Sequence, residues 1–143
     1  METLLALYHE QTGQARHHEN QRATVTNYVL VVAGAILGLV NVEALRSAQG
    51  ALGCYLIIVG CFGAAVTAKH YERNRYHARL AGRYRHQIEA LQPEVAIDRD
   101  EVRKDQRRDF PFFHGERLWK YWVTLHLMVA GLGALLAVLH WTE

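Results

Sequence analysis

The chain has 143 residues, half of them hydrophobic and 21% charged, with a formal net charge of +2. Its mean hydropathy of -0.10 would suit a soluble domain, yet residues 23–42, 47–68 and 121–142 contain no Asp, Glu, Lys or Arg. A helix rising about 1.5 Å per residue crosses a hydrocarbon core about 30 Å thick in about 20 residues, so each uncharged run is long enough to span a bilayer. A single soluble globular domain is excluded, and too little chain remains outside the runs for a conventional independent enzyme domain.

The expected fold is all-α: a three-span transmembrane helical protein with an amphipathic N-terminal helix and a cytoplasmic extension of span two. Residues 1–22 form the cytoplasmic amphipathic helix and 23–68 the transmembrane hairpin of spans one and two. Residues 69–120 form a cytoplasmic helical segment with interfacial re-entry, and 121–143 the third span. The opening METLLALYHE lacks a basic stretch and a small-residue cleavage site, so no cleavable signal peptide is expected. Leu4, Leu5, Tyr8 and Ala15 give the first helix its apolar positions.

Span one carries Gly34 and Gly38 four residues apart, a small-residue face that lets helix backbones approach. The short loop from Asn41 to Gly50 holds only Glu43 and Arg46. Fifteen of the 16 Lys and Arg residues lie on the other side of the hairpin, at Arg16, Arg22 and between Lys69 and Lys120. Because basic residues stay in the cytoplasm, the N-terminus is expected inside and the C-terminus outside a bacterial inner membrane. Span two adds Gly60, Gly63 and Ala64 as packing residues. Cys54 and Cys61, seven residues apart in that span, are expected to be small, buried packing residues.

No proline interrupts the chain from Lys69 to Pro93, so span two is expected to leave the membrane as one continuous helix. Tyr76, Leu80, Tyr84, Ile88 and Leu91 recur every three or four residues as an apolar stripe that needs a partner, either the N-terminal helix or a second subunit. Arg73, Arg75, Arg79, Arg83 and Arg85 fill much of the remaining circumference and read as a solvated, headgroup-facing surface. His70, Arg73 and His77 share a face that suits an anion or ordinary interfacial polarity. Residues 97–109 alternate in charge and suggest a short exposed helix or linker. Phe110, Phe112, Phe113, Trp119, Tyr121 and Trp122 then crowd the start of span three, and Trp141 marks its far end, as aromatic belts do.

Span three carries Ala130, Gly133, Ala134 and Ala137, again at small-residue spacing. Three spans do not bury all of these faces, so Gly34, Gly38, Gly60, Ala64, Gly133 and Ala137 point to a homo-oligomer. His126 and His140 are fourteen residues apart on one face, about 21 Å along a helix. Their spacing, with Gly131 and Gly133 between, resembles the haem-bearing helices of b-type cytochromes. That resemblance implies haem b held between two subunits, because spans one and two contain no histidine; the plainer reading is contact with headgroups or backbone near the interfaces.

Other chemistry is mostly absent from the sequence. Ser47 is the only serine, no phosphate-binding glycine loop occurs, and no two of the nine histidines stand three or four apart as paired metal ligands on one helix would. The Arg-x(4-6)-His pattern of HEPN ribonucleases, matched by Arg79 with His86 and by Arg107 or Arg108 with His114, occurs no more often than chance spacing gives. Neither a catalytic residue nor a bound metal is expected, and the modest net charge does not favour nucleic acid as a partner.

The stretch QARHHENQRATVTNYVLVV, the tight two-span hairpin and the basic helix HYERNRYHARLAGRYRHQIEALQ resemble SLATT-type two-span bacterial effectors and the oligomeric RipA-like membrane proteins. The likeness covers residues 10 to about 92 and departs from that pattern in having a third span. It implies an oligomeric membrane effector or pore subunit, possessing no enzymatic activity, that acts in defence against phage. On that reading a cytoplasmic protein partner works through Tyr76, Leu80 and Tyr84; a structural accessory subunit of a membrane complex is a further alternative.

Overall fold

The computed structural model describes residues 1–112, 114, 115 and 117–142. Phe113, counted among the aromatic anchors, lies outside the described residues, as does Glu143 at the end of the expected third span. The elements in chain order are α1 (Glu2–Val40), a 3-10 turn (Glu43–Ala48), α2 (Gln49–Leu91), a second 3-10 turn (Pro93–Val95), α3 (Arg99–Asp109) and α4 (Leu118–Thr142). No strand occurs among the described residues. α1, α2 and α4 are each long and apolar enough to cross a membrane, and the chain is an all-α, three-span membrane protein.

The expected N-terminal helix and span one are a single helix. α1 runs unbroken for 39 residues, about 58 Å at 1.5 Å per residue. α2 does the same for 43 residues and ends at Leu91, two residues before Pro93, whose missing amide proton bars a continuing helix. Two side-chain amides finish α1 where helix carbonyls run out of partners: Asn41 donates to the Leu37 carbonyl at 2.9 Å and Gln49 to the Val40 carbonyl at 2.9 Å. Asp98 caps α3 by accepting from the amides of Asp100 and Glu101. Arg99 pairs with Glu89 and fastens the start of α3 to the end of α2. α3 is otherwise exposed, with Asp100 to Arg103 and Asp105 to Arg108 ion pairs along it.

α2 is the middle helix, packed along both α1 and α4, which touch each other only sparingly. Glycine sets the α2 to α4 distance. A Cβ at Gly60 would stand 2.6 Å from the Ala130 amide nitrogen and 2.7 Å from the His126 carbonyl. One at Gly53 would meet the Gly133 carbonyl at 2.7 Å, and one at Gly133 the Gly53 carbonyl at 2.6 Å. Backbone therefore rests on backbone, the contact that drives helix association where lipid removes the hydrophobic incentive. Val29, Ala33 and Ile36 of α1, Leu56 of α2 and Val129 of α4 fill the remaining core.

This packing corrects part of the oligomer expectation. Gly60, Gly133 and Ala137 stand inside the α2 to α4 contact, and Ala64 is buried too, so these four serve the fold of one chain and are not free for a second. Gly34 and Gly38 are different: a Cβ at either would meet nothing within 4 Å. Cys61 is exposed and Cys54 half-buried, so the cysteines are not the buried packing residues expected. Only 22% to 28% of each apolar window is buried inside the fold. Val31, Ile58, Phe62 and Met128 each stand at least 64% exposed, an arrangement stable in lipid and costly in water.

Gly60→Leu or Gly133→Leu must push two backbones apart and is expected to cost about 1–3 kcal/mol or more. Gly34→Leu leaves the single-chain fold intact. Thermal melting in detergent should show a clear drop for the first two and little change for the third.

Candidate functional site

The polar groups that the fold brings together lie at one end of the bundle, the end carrying the basic residues. Deepest is His126 of α4, fully buried although it stands inside an uncharged run. Its Nε2 lies 3.1 Å from the Thr26 hydroxyl of α1 and 3.0 Å from the Thr67 hydroxyl of α2, so three spans meet at one imidazole. Thr26 also donates to the Arg22 carbonyl, at 3.0 Å. With its hydrogen spent there, Thr26 can only accept from His126, which places the ring proton on Nε2. Nδ1 is buried and has no partner among the described residues. It lies over Gly63, where a Cβ would be 2.5 Å away, so the ring needs glycine beneath it.

This arrangement corrects the reading of His126 as an interfacial residue touching headgroups. It also leaves little for the haem alternative: Nε2 is held between two threonines, and the other ring nitrogen faces the α2 backbone. His140 is half-buried, with its ring against Gly50, where a Cβ would be 2.6 Å from Cδ2. Both histidines face α2, whereas a haem shared by two subunits would need them to face outward.

Above the knot, α1 and α2 continue side by side as an antiparallel pair. Asn74 donates to the Ala15 carbonyl at 2.8 Å, and His77 Nδ1 donates to Gln11 Oε1 at 2.7 Å. His18 and His70 approach Nδ1 to Nδ1 at 3.2 Å, and His18 stacks on His77 with ring centres 5.4 Å apart. His70 and His77 thus face α1, which removes them from the open anion-binding face expected of them. Among the described residues no three His, Cys, Asp or Glu side chains form a set able to hold a metal ion. Arg22, only 5% exposed, sits between this cluster and the knot and pairs with Glu19 at 3.2 Å.

The partner of α2 is α1, one of the two expected, but the contacting stripe is His70, Asn74, His77, Ala81 and Ile88. Of the expected coupling residues, Leu80 and Tyr84 are half-buried and Tyr76 is 53% exposed. Tyr76 instead borders a cleft with Tyr71, Glu72, Arg75, Arg79 and Arg117. Thr26, Thr67 and Gly53 were not singled out from the sequence. For two of the three the signal was present: Gly53, Gly60 and Thr67 repeat every seven residues, as do His126, Gly133 and His140, the spacing of one helix face.

Comparison with protein-family models, curated proteins and solved structures finds no match for this chain.

A hydrogen bond between two imidazoles needs one bare nitrogen, so the His18 to His70 contact exists only while at least one ring is neutral. His18 lies ahead of the uncharged run, and burial, then the nearby His70, His77, His17 and Arg73, hold its pKa below the ordinary histidine value of 6.5. The detached helix takes up a proton near that value and the packed one does not. The stabilisation is therefore complete above about pH 6.5 and is lost as pH falls towards the lower folded value. The melting temperature should fall on acidification from pH 7.5 to 5.5, and His18→Gln should flatten that slope. At the knot, Thr67→Val keeps the shape and removes one hydroxyl. It should cost about 1 kcal/mol in a chemical or thermal melt, the scale of interhelical hydrogen bonds in membranes.

Proposed function

We propose that the protein is an oligomeric bacterial inner-membrane effector or pore-forming subunit, gated by a protein partner on its basic, cytoplasmic side. The observation that carries this reading is the rigid pair formed by α1 and α2. Both helices pass without a break from the apolar region into the basic end, tied there by Asn74 to Ala15, His77 to Gln11 and His18 to His70. A force applied near Leu91 is delivered to the spans, because no flexible joint lies between.

The topology follows the basic residues: N-terminus and residues 69–120 inside, the Glu43 to Ala48 turn and the C-terminus outside. The outward apolar surface and the open Gly34 and Gly38 face support association with further copies. The half-open stripe of Tyr76, Leu80 and Tyr84 is the surface offered to a partner. The reading assigns no catalytic role to any residue. The resemblance to small two-span effectors adds the setting, defence against phage.

Filling the Gly34 face tests assembly and function together. Gly34→Leu with Gly38→Leu should still insert and fold, run as a smaller species by mass measurement in native lipid, and lose any ion leak or toxicity on overexpression. A wild-type protein that is monomeric in native lipid and leaves the membrane potential unchanged, with its neighbouring genes present, would favour a structural accessory subunit instead. A reporter fused after the last residue that is active only in the cytoplasm would overturn the topology.

A further inference from the structure

The cleft at the basic end has an unusual charge balance. Arg75 and Arg79 of α2 and Arg117, just before α4, border a space of about 420 Å³, with Tyr71 and Tyr76 as aromatic walls. Among the described residues Glu72 is the one acidic residue on its rim, and it is bonded to Lys69 at 2.6 Å. None of the three arginines forms an ion pair among the described residues, although other arginines nearby, Arg85 and Arg99, share Glu89. Three arginines bordering one cleft, with its carboxylate engaged by Lys69, supply many N–H donors, the chemistry that selects a phosphate.

The depth of the cleft narrows the choice. The uncharged runs of α2 and α4 end at Lys69 and Lys120, which mark the edge of the hydrocarbon. Tyr71 stacks on Trp119 at 4.9 Å, an aromatic pair at that edge. Arg117 lies three residues before Lys120, about 4.5 Å, and Arg75 and Arg79 six and ten residues beyond Lys69, about 9 Å and about 15 Å along the helix. The headgroup layer is about 5–7 Å thick on each side, and side chains on α2 lean towards its N-terminus, back towards that layer.

We infer that this cleft is a binding site for the headgroup of one anionic phospholipid, its phosphodiester held by Arg75, Arg79 and Arg117. A zwitterionic lipid carries its own cation beside the phosphate and is the poorer ligand. The site does not depend on whether the protein forms a pore.

Native mass spectrometry of the detergent-purified full chain, offered phosphatidylglycerol and phosphatidylcholine equally, tests this. The expected result is at least tenfold preference for phosphatidylglycerol, abolished in the Arg75→Gln, Arg79→Gln, Arg117→Gln triple variant. Arg83→Gln with Arg107→Gln, outside the cleft, should change retention less than twofold. Should the triple variant fail to fold, each single change is expected to weaken retention about threefold. Equal retention of the two lipids, or normal binding by the arginine variants, overturns the site. Glycerol phosphate competing as well as the intact lipid assigns the cleft to a soluble phosphate and overturns the lipid.

Discussion

The close approach of α2 and α4 governs the rest of the structure. Because Gly53, Gly60 and Gly133 let one backbone rest on the other, α4 stands near enough for the His126 ring to lie across Gly63 and reach beyond α2 to Thr26 on α1. α1 and α4 otherwise touch little. The imidazole is therefore the polar link between the two outer helices, and it is possible only because α2 is thin at that point. In lipid a buried polar group without a partner is costly. Placing two hydroxyls on Nε2 confines that cost to Nδ1, which faces backbone.

The same packing decides what the basic end looks like. Once Thr26 and Thr67 are drawn to one imidazole, the antiparallel register of α1 and α2 is set, and continuing it outward aligns His18 with His70, Ala15 with Asn74 and Gln11 with His77. The contact beyond the membrane is thus largely polar, unlike the apolar seam of a soluble coiled coil. Such a seam holds through specific geometry and weakly through buried area. It is the part of the molecule most open to acid or to a partner, while the spans beneath stay fixed by backbone contact.

The turn of α2 towards α1 has a second consequence. With His70, Asn74 and His77 facing inward, Arg75 and Arg79 are carried to the opposite side, where Arg117 arrives from the start of α4. The arginines are separated by function through helix geometry: Arg85 and Arg99 neutralise Glu89 and hold α3, while those around the cleft keep their charge for an anion. The basic end is in this way divided into a face that folds the chain and a face that meets the membrane surface.

The spans, their lengths, the continuous exit of α2 to Pro93 and the exposed character of α3 were legible in the sequence alone. Each depends on a property local to a segment: freedom from charge over 20 residues, absence of proline, alternation of charge. Which small residues pack within the chain was not legible, because Gly34 and Gly60 look alike until a neighbouring helix is placed; one meets open space and the other meets Ala130. His126 likewise carries the same local sequence whether it faces lipid, a haem or two threonines. Its partners lie 100 and 59 residues away, and helix rotation, set by contacts across the bundle, decides which of them it meets.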